Sequence, residues 1–487
     1  MNVTVLAPVL AWLLALGLGL AARRGLLMDY EQWVVGKRAL GGLFVFVLLA
    51  GELYTTFTLL GASGWAERYG APAFYIIAYG TLAYVVGFWF LPPLWRYGRR
   101  HGLVSERDFF AHRYRSPGLG RLAAWVGLLA MFPYLVLQLR ALGLIVSVTS
   151  SGVIGARVAI VASGAAVVVY VAASGLRSST WTALVKDGLL LGLIGALAVV
   201  LPARLAGGVG PLIAELMARD PHLFVLPAHG YDSGWFVTTV ALSALGFFLW
   251  PHTFPAIFSA RGEGVLRRST AILPLYQLLL VAVFILGFTA RAVDPHLRHH
   301  DRALLTLVMR TTPVWTGALL GAAGVLTALV PSALLLLTMG SVLSAEIVGA
   351  GRRAWLTDVA RARLAVVAVT FLAVTVALRS LHGIVFLLLL GYSYVTQLLP
   401  AAVSGLRSRP WFGTGGAVAG ILTGVAVVSF ALLAPGDWRA CLSAVFPALL
   451  SWNVGFVALA LNVLVAFAVG RVRNDARRLA PLAVEGG

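Results

Sequence analysis

Apolar residues run along this chain in stretches of about 20, and the polar residues fall almost entirely in the short gaps between them. A helix rises 1.5 Å per residue, so such a stretch covers the roughly 30 Å hydrocarbon layer of a bilayer. The pattern predicts about thirteen spanning helices and no strands. They fall near 3–22, 40–63, 72–95, 119–148, 156–175, 182–203, 234–258, 270–290, 314–349, 362–379, 383–404, 412–434 and 446–470. Two of them are interrupted. The second reads GGLFVFVLLAGELYTTFTLLGASG, with Gly51 beside the carboxylate Glu52 and the polar run Tyr54, Thr55, Thr56. The seventh reads ALGFFLWPHTFPAIF, with Gly246, Pro251 and Pro255 close together. Proline removes a backbone donor, and inside a bilayer a broken ladder is tolerated only where protein or cavity water satisfies the freed groups.

The breaks lie five spans apart. An odd number of spans per block gives two blocks of opposite orientation, and interrupted helices at matching places in inverted halves mark a transporter's binding site. The expected organisation is residues 1–39 as an extra span with its loop, 40–203 as the first five-helix repeat and 204–410 as the second with an external loop. Residues 411–487 then form two further spans and a tail. No residue-level similarity between the blocks accompanies this topology.

Composition narrows the class. The chain of 487 residues is 60% hydrophobic and 11% charged, too much apolar surface for a water-soluble protein to hide. Its net charge of +19 suggests a nucleic-acid partner until the basic residues are placed. About 26 of the 37 fall in alternate loops, including Arg23–Arg38, Arg96–Arg121, Arg261–Arg268, Arg352–Arg363 and Arg471–Arg478, against about ten in the others. That asymmetry sets the N-terminus outside, the C-terminus in the cytoplasm, and the chain in a bacterial-type inner membrane, with lipid and a small solute as its partners and no nucleic acid. The first stretch lacks a small-residue cleavage site and reads as a retained span. A single cysteine, Cys441, excludes an intramolecular disulfide and a multi-cysteine metal site. No glycine-lysine phosphate loop and no soluble signalling domain is visible, which argues against an ATP-driven pump or a sensor; a transporter rather than an enzyme is expected, the other class being an intramembrane enzyme with Glu52 and His252 as acid and base. Neither a cofactor nor a resident metal is expected, and the chain is expected to act as a monomer.

Candidate chemistry clusters at the breaks. A carboxylate such as Glu52 at mid-membrane depth costs about 2.5–3.5 kcal/mol on insertion scales, which points to a proton or cation role. Arg140, inside the fourth span, has three readings: an ion pair with Glu52, a fork on a substrate carboxylate, or a side chain reaching to an interface. His252 at the second break donates to an anion, relays a proton or simply packs. Trp250, Phe254 and Tyr54 suit an apolar wall, and Gln138, Thr55 and Thr56 offer hydrogen bonds. Glu346 and Asp358 read as interfacial salt-bridging groups, and His296, His299 and His300 as a solvated loop.

Five stretches carry a family resemblance: Gly51–Gly64, PYLVLQL at Pro133–Leu139, VKD at Val185–Asp187, Trp250–Gln277, and ALVPSALLLLTMGS at Ala328–Ser341. In this order and on these spans the chain resembles the solute:sodium symporter family over nearly its whole length, and within it the monocarboxylate permease branch. The resemblance implies an all-α integral membrane protein with a five-plus-five inverted-repeat, LeuT-like core, and import of lactate, pyruvate, acetate or propionate by alternating access. It further implies an ion held by backbone carbonyls of the first broken helix, here Gly51 and Tyr54, with Asp187 on the inward exit path. The family's two adjacent hydroxyl ligands on the ninth span fall here on Val330 and Pro331, which have no side-chain oxygen. Thr327 and Ser332 are the nearest hydroxyls, with Ser332 about 100° around the helix from Pro331. A coupling proton handled by Glu52 therefore fits the residues better than sodium. A sodium-coupled symporter of an amino acid stays open as the alternative.

Overall fold

The computed structural model describes residues 3–23, 42–51, 54–173, 176–348, 358–380, 382–433 and 451–473. Glu52 and Cys441 lie outside the described residues. Among those described, every regular element is helical, and ten helices are long and apolar enough to cross a membrane. Two shorter apolar helices, Ala156–Ala172 and Ser233–Gly246, fall where further spans are expected.

The chain divides into two compact units. The first comprises Met1–Ile77, Phe132–Leu226 and Ile272–Leu388. It holds α1 (Val3–Arg23), α2 (Gly42–Gly51), α3 (Ala62–Tyr69), the later part of a long helix that runs Pro117–Thr149, and α7 (Ala156–Ala173). Next come α8 (Leu176–Ala206), α9 (Val209–Arg219), α13 (Leu278–Val293), α14 (Ala303–Thr311), α15 (Val314–Val348) and α16 (Asp358–Arg379). α15 is the centre of this unit. Most of its 35 residues are Ala, Val, Leu or Ile, and α1, α8 and α16 pack on it. Leu, Ala and Val on every side suit a helix enclosed by others rather than one with a single apolar stripe. α8 meets α1, α2, α13 and α15, so any polar side chain on its inner face is sealed from lipid and water alike.

The second unit comprises Ala78–Met131, Pro227–Ala271 and Leu389–Gly487. It contains most of α4 (Tyr75–Arg100), α5 (Glu106–Arg113), the first part of α6 (Pro117–Thr149), α10 (Ser233–Gly246) and α11 (Thr253–Ser259). The start of α12 (Glu263–Tyr276), the end of α17 (Ile384–Val395), α18 (Leu399–Leu406), α19 (Thr414–Leu433) and α20 (Val454–Arg473) complete it. A capping box starts α5. Ser105 Oγ accepts from the Asp108 amide at 3.2 Å, and Asp108 Oδ2 accepts from the Ser105 amide at 3.1 Å, so two orphan donors are satisfied. α17 and α18 are joined by a 3-10 turn at Thr396–Leu398, an interruption that the apolar run at 383–404 does not announce.

Candidate transport site

Among the described residues α2 runs to Gly51, Tyr54 and Thr55 are irregular, and the π-helical turn Phe57–Gly61 then leads into α3. Tyr54 still donates its amide to the Ala50 carbonyl at 3.2 Å. The next carbonyls along the gap take a side chain instead. Lys186 of α8, fully buried, donates from Nζ to the Tyr54 carbonyl at 2.8 Å and to the Gly51 carbonyl at 3.4 Å. The same ammonium lies 3.0 Å from Asp187 Oδ1, and Asp187 is hydrogen-bonded to the Tyr276 side chain. The Tyr54 hydroxyl closes the ring by donating to the Tyr276 carbonyl, with the two aromatic rings edge to face at 4.6 Å.

Thr56 and Gln138 form a second polar pair within the first unit. The Thr56 hydroxyl donates to Gln138 Oε1 at 2.5 Å, and both residues are completely buried. Gln138 Nε2, a two-proton donor, has no hydrogen-bond partner among the described residues. Thr55 turns to local use, its hydroxyl accepting the Phe57 amide at 3.2 Å. On α15, Thr327 donates to the Ala323 carbonyl of its own helix at 2.7 Å. The Ser332 hydroxyl is buried and without a partner among the described residues. Val330 belongs to an apolar cluster with Val47 and Ala183, so the side facing α2 and α8 is hydrocarbon.

Arg140 is engaged at a loop, as a side chain reaching to the edge of its span would be. Its Nη1 donates to the His382 carbonyl and, at 3.4 Å, to Ser380 Oγ, at the segment that leads into α17, where Asp301 also supplies an attractive charge. The guanidinium is thus spent on a loop carbonyl. The fork expected for a substrate is not formed from it, and its expected ion-pair partner Glu52 is outside the described residues. The histidine loop differs from the expectation. His300 is not a purely solvated residue: its Nδ1 meets the buried Glu67 Oε2 at 2.5 Å. Burial pushes the Glu67 carboxyl up, while His300 and Arg291 oppose it. Arg291 adds hydrogen bonds to the Glu67 carbonyl and to Asp220, both at 2.8 Å, so the far end of α3 is held by charge. No group of three metal-ligating side chains occurs among the described residues.

The second break belongs to the second unit. α10 ends at Gly246, and a Cβ there would lie 2.0 Å from Thr396 Oγ1, so glycine is what allows this end to meet the α17–α18 turn. After an irregular stretch, Thr253 begins α11 and donates its hydroxyl to the Trp250 carbonyl at 2.7 Å and the Phe248 carbonyl at 3.2 Å. The break thus satisfies its own freed carbonyls. The Trp250 ring stands edge to face with Tyr392 at 5.2 Å and 5.8 Å from the His252 ring. Phe254 is wholly buried, 6.4 Å from Phe109 and 5.9 Å from Phe258, in an aromatic packing cluster.

The description "Sodium:solute symporter family" matches residues 33–424 of this chain. The chain belongs to that family. An uncharacterised symporter of Bacillus subtilis, YhjB, is 42% identical over 476 residues, covering 96% of each chain. A monocarboxylate transport permease protein of Rhizobium johnstonii is 27% identical over 455 residues, 91% of this chain and 90% of that one. Among solved structures, a Na+-coupled sialic acid symporter in a substrate-bound outward-open state superimposes with a TM-score of 0.78 at 14% identity, covering 99% of this chain and 98% of that one. The fold is therefore that of the LeuT-like transporters, and the family's members are symporters rather than enzymes.

Within this symporter framework, reasoning from sequence passed over one residue. In the sequence Lys186 stood out only as the middle of the VKD stretch, beside Asp187. The available signal was a Lys-Asp pair followed by a long uncharged run, GLLLGLIGALAVVL, in a span where a buried charge needs a partner. What it touches lies more than 130 positions away in the chain.

Proposed function

We propose that this symporter imports a small monocarboxylate of the lactate, pyruvate, acetate or propionate class together with a proton, by alternating access. The observation that carries the reading is the Gln138 Nε2 donor, fully buried beside Thr56 and without a hydrogen-bond partner among the described residues. A carboxylate accepts from such an amide, and a charge-assisted hydrogen bond in a dry site is worth about twice a neutral one. One or two donors in an apolar chamber suit a short acid; a sugar needs many more polar partners. The Rhizobium relative, named for monocarboxylate transport, supports the same class. For the coupling ion, Val330 packed against Val47 and Ala183 offers no oxygen where the family resemblance expects a ligand, which favours a proton over sodium. Glu52, at the same break in sequence, is the proposed proton-handling group. The positive-loop asymmetry supports an inner-membrane protein with its N-terminus outside and its C-terminus in the cytoplasm, and we propose that a single chain suffices.

Counterflow of labelled lactate and acetate in proteoliposomes, followed by uptake under separately imposed pH and sodium gradients, tests this. Exchange of the acids and accumulation with an inward proton gradient, above protein-free vesicles, is the expected result. Exchange of an amino acid and of no short acid refutes it.

A further inference from the structure

Lys186 is sealed inside the first unit, and among the described residues its ammonium touches only the Gly51 and Tyr54 carbonyls and Asp187. Taking an ammonium out of water is costly unless oxygens replace its hydration shell, and a lysine used only to tie two helices together would be an expensive tie. The break supplies that replacement. Carbonyls freed from a helical ladder carry partial negative charge and collect cations.

We propose that Lys186 is the resident cation of the first break: its tethered ammonium holds the position between the Gly51 and Tyr54 carbonyls that a free metal cation would need, so the transport cycle runs without bound sodium. This deepens the symport reading and rests on it only for the transport assay.

Three independent features agree. Both carbonyls already accept from Nζ, so a sodium ion on them would sit against a like charge at hydrogen-bond range. A hard cation wants about six oxygens, yet the adjoining face of α15 presents Val330 in a hydrocarbon cluster. Thr327, which donates its hydroxyl proton to Ala323 of its own helix, and the buried Ser332 add at most two hydroxyl oxygens from α15, which together with the two carbonyls still falls short of that number. Asp187 lies 3.0 Å from the ammonium and is hydrogen-bonded to Tyr276, so the opposite charge at this position is supplied by the chain itself. The arrangement also has a mechanical consequence. Because the ammonium belongs to α8, the end of α2 is fastened to α8 by a bond that never dissociates into solution, whereas a bound ion would leave in each cycle.

The test uses the full-length protein in proteoliposomes. With potassium or N-methylglucamine replacing sodium on both sides, acid counterflow by the wild type is expected to be unaltered. Sodium titration of the purified protein is expected to give no saturable change in tryptophan fluorescence. Lys186→Ala/Asp187→Asn removes the ammonium without leaving a buried unpaired carboxylate. It is expected to lose about tenfold or more of the counterflow rate and to recover part of it when ethylammonium is added, a rescue that a merely structural lysine would not show. Saturable sodium stimulation of wild-type transport or fluorescence overturns the proposal, as does a double variant that transports at the wild-type rate without the amine. The two wild-type measurements decide the matter even if the variant does not fold. If the wild type exchanges no short acid, the substrate reading fails while the fluorescence titration still judges Lys186. If acids exchange but a pH gradient drives nothing, the proton reading fails and sodium indifference stands.

Discussion

Replacing Gln138 with leucine separates a substrate donor from a packing residue. The change nearly keeps the volume of the side chain and deletes Nε2, the amide donor without a partner among the described residues, together with Oε1, which accepts the Thr56 hydroxyl at 2.5 Å. If Nε2 donates to the bound carboxylate, a hydrogen bond to a charged group is lost, worth about 1.5–3 kcal/mol net. At 1.4 kcal/mol per factor of ten, the half-saturation concentration for lactate rises about 10- to 100-fold. The orphaned Thr56 hydroxyl costs folding about 1–3 kcal/mol on its own, seen as a lower melting temperature without substrate. Thr56→Val supplies the control. It incurs a comparable folding penalty by stripping Oε1 of its donor but leaves Nε2 in place, so half-saturation moves about threefold at most. The assay is the concentration dependence of counterflow at matched amounts of folded protein. Equal shifts in the two variants, or an unaltered half-saturation in Gln138→Leu, refute the reasoning and make Gln138 a structural partner of Thr56.

Three further outcomes follow from the geometry. Gly246→Ala sets a Cβ 2.0 Å from Thr396 Oγ1 and 3.2 Å from its Cβ. Overpacking of about 1–3 kcal/mol exceeds the roughly 1 kcal/mol that alanine gains in a helix, so thermal stability in detergent falls; a rise would show that the second break has room to spare. Glu106 at the start of α5 is buried with both oxygens unpartnered, and a Cβ built on Gly127 would lie 2.9 Å from its Oε2 and 2.3 Å from Pro251 Cγ. Burial holds its carboxyl well above the usual carboxylate range. The folded state therefore binds this proton more tightly than the unfolded chain, and the stabilisation is full in acid and lost as pH climbs through the raised value. Glu106→Gln is expected to flatten that decline and raise the melting temperature at neutral and alkaline pH relative to wild type, and an unchanged pH profile would count against it. Arg140→Gln, which removes the donor to the His382 carbonyl, is expected to cost about 1–3 kcal/mol of stability without changing half-saturation for acids, and a large affinity loss would restore the substrate fork.

The spans and both interruptions were legible because each is a local property. About 20 apolar residues make a helix that lipid will accept, and Gly51 or the Gly246–Pro255 stretch breaks the ladder whatever surrounds it. The joint at Thr396–Leu398 was not legible, since no proline precedes it within α17 and its geometry depends on Gly246 closing against Thr396. Arg140 was left with three readings for a related reason. Depth along the helix is a sequence property, but the direction and partner of a long side chain are not, and its partner arrived from a loop some 240 positions later. His300 likewise looked like one member of a solvated triplet until Glu67 was placed beside it.

By itself, then, the sequence determined that this chain lies in a membrane as a bundle of helices and that two of them are broken. These follow from transfer free energies and backbone sterics, which act over a few residues at a time. Only the tertiary structure decided what fills the first break. An ammonium bound to carbonyls on another helix is a contact between residues far apart in the chain, made where α8 meets α1, α2, α13 and α15 and Lys186 is fully buried.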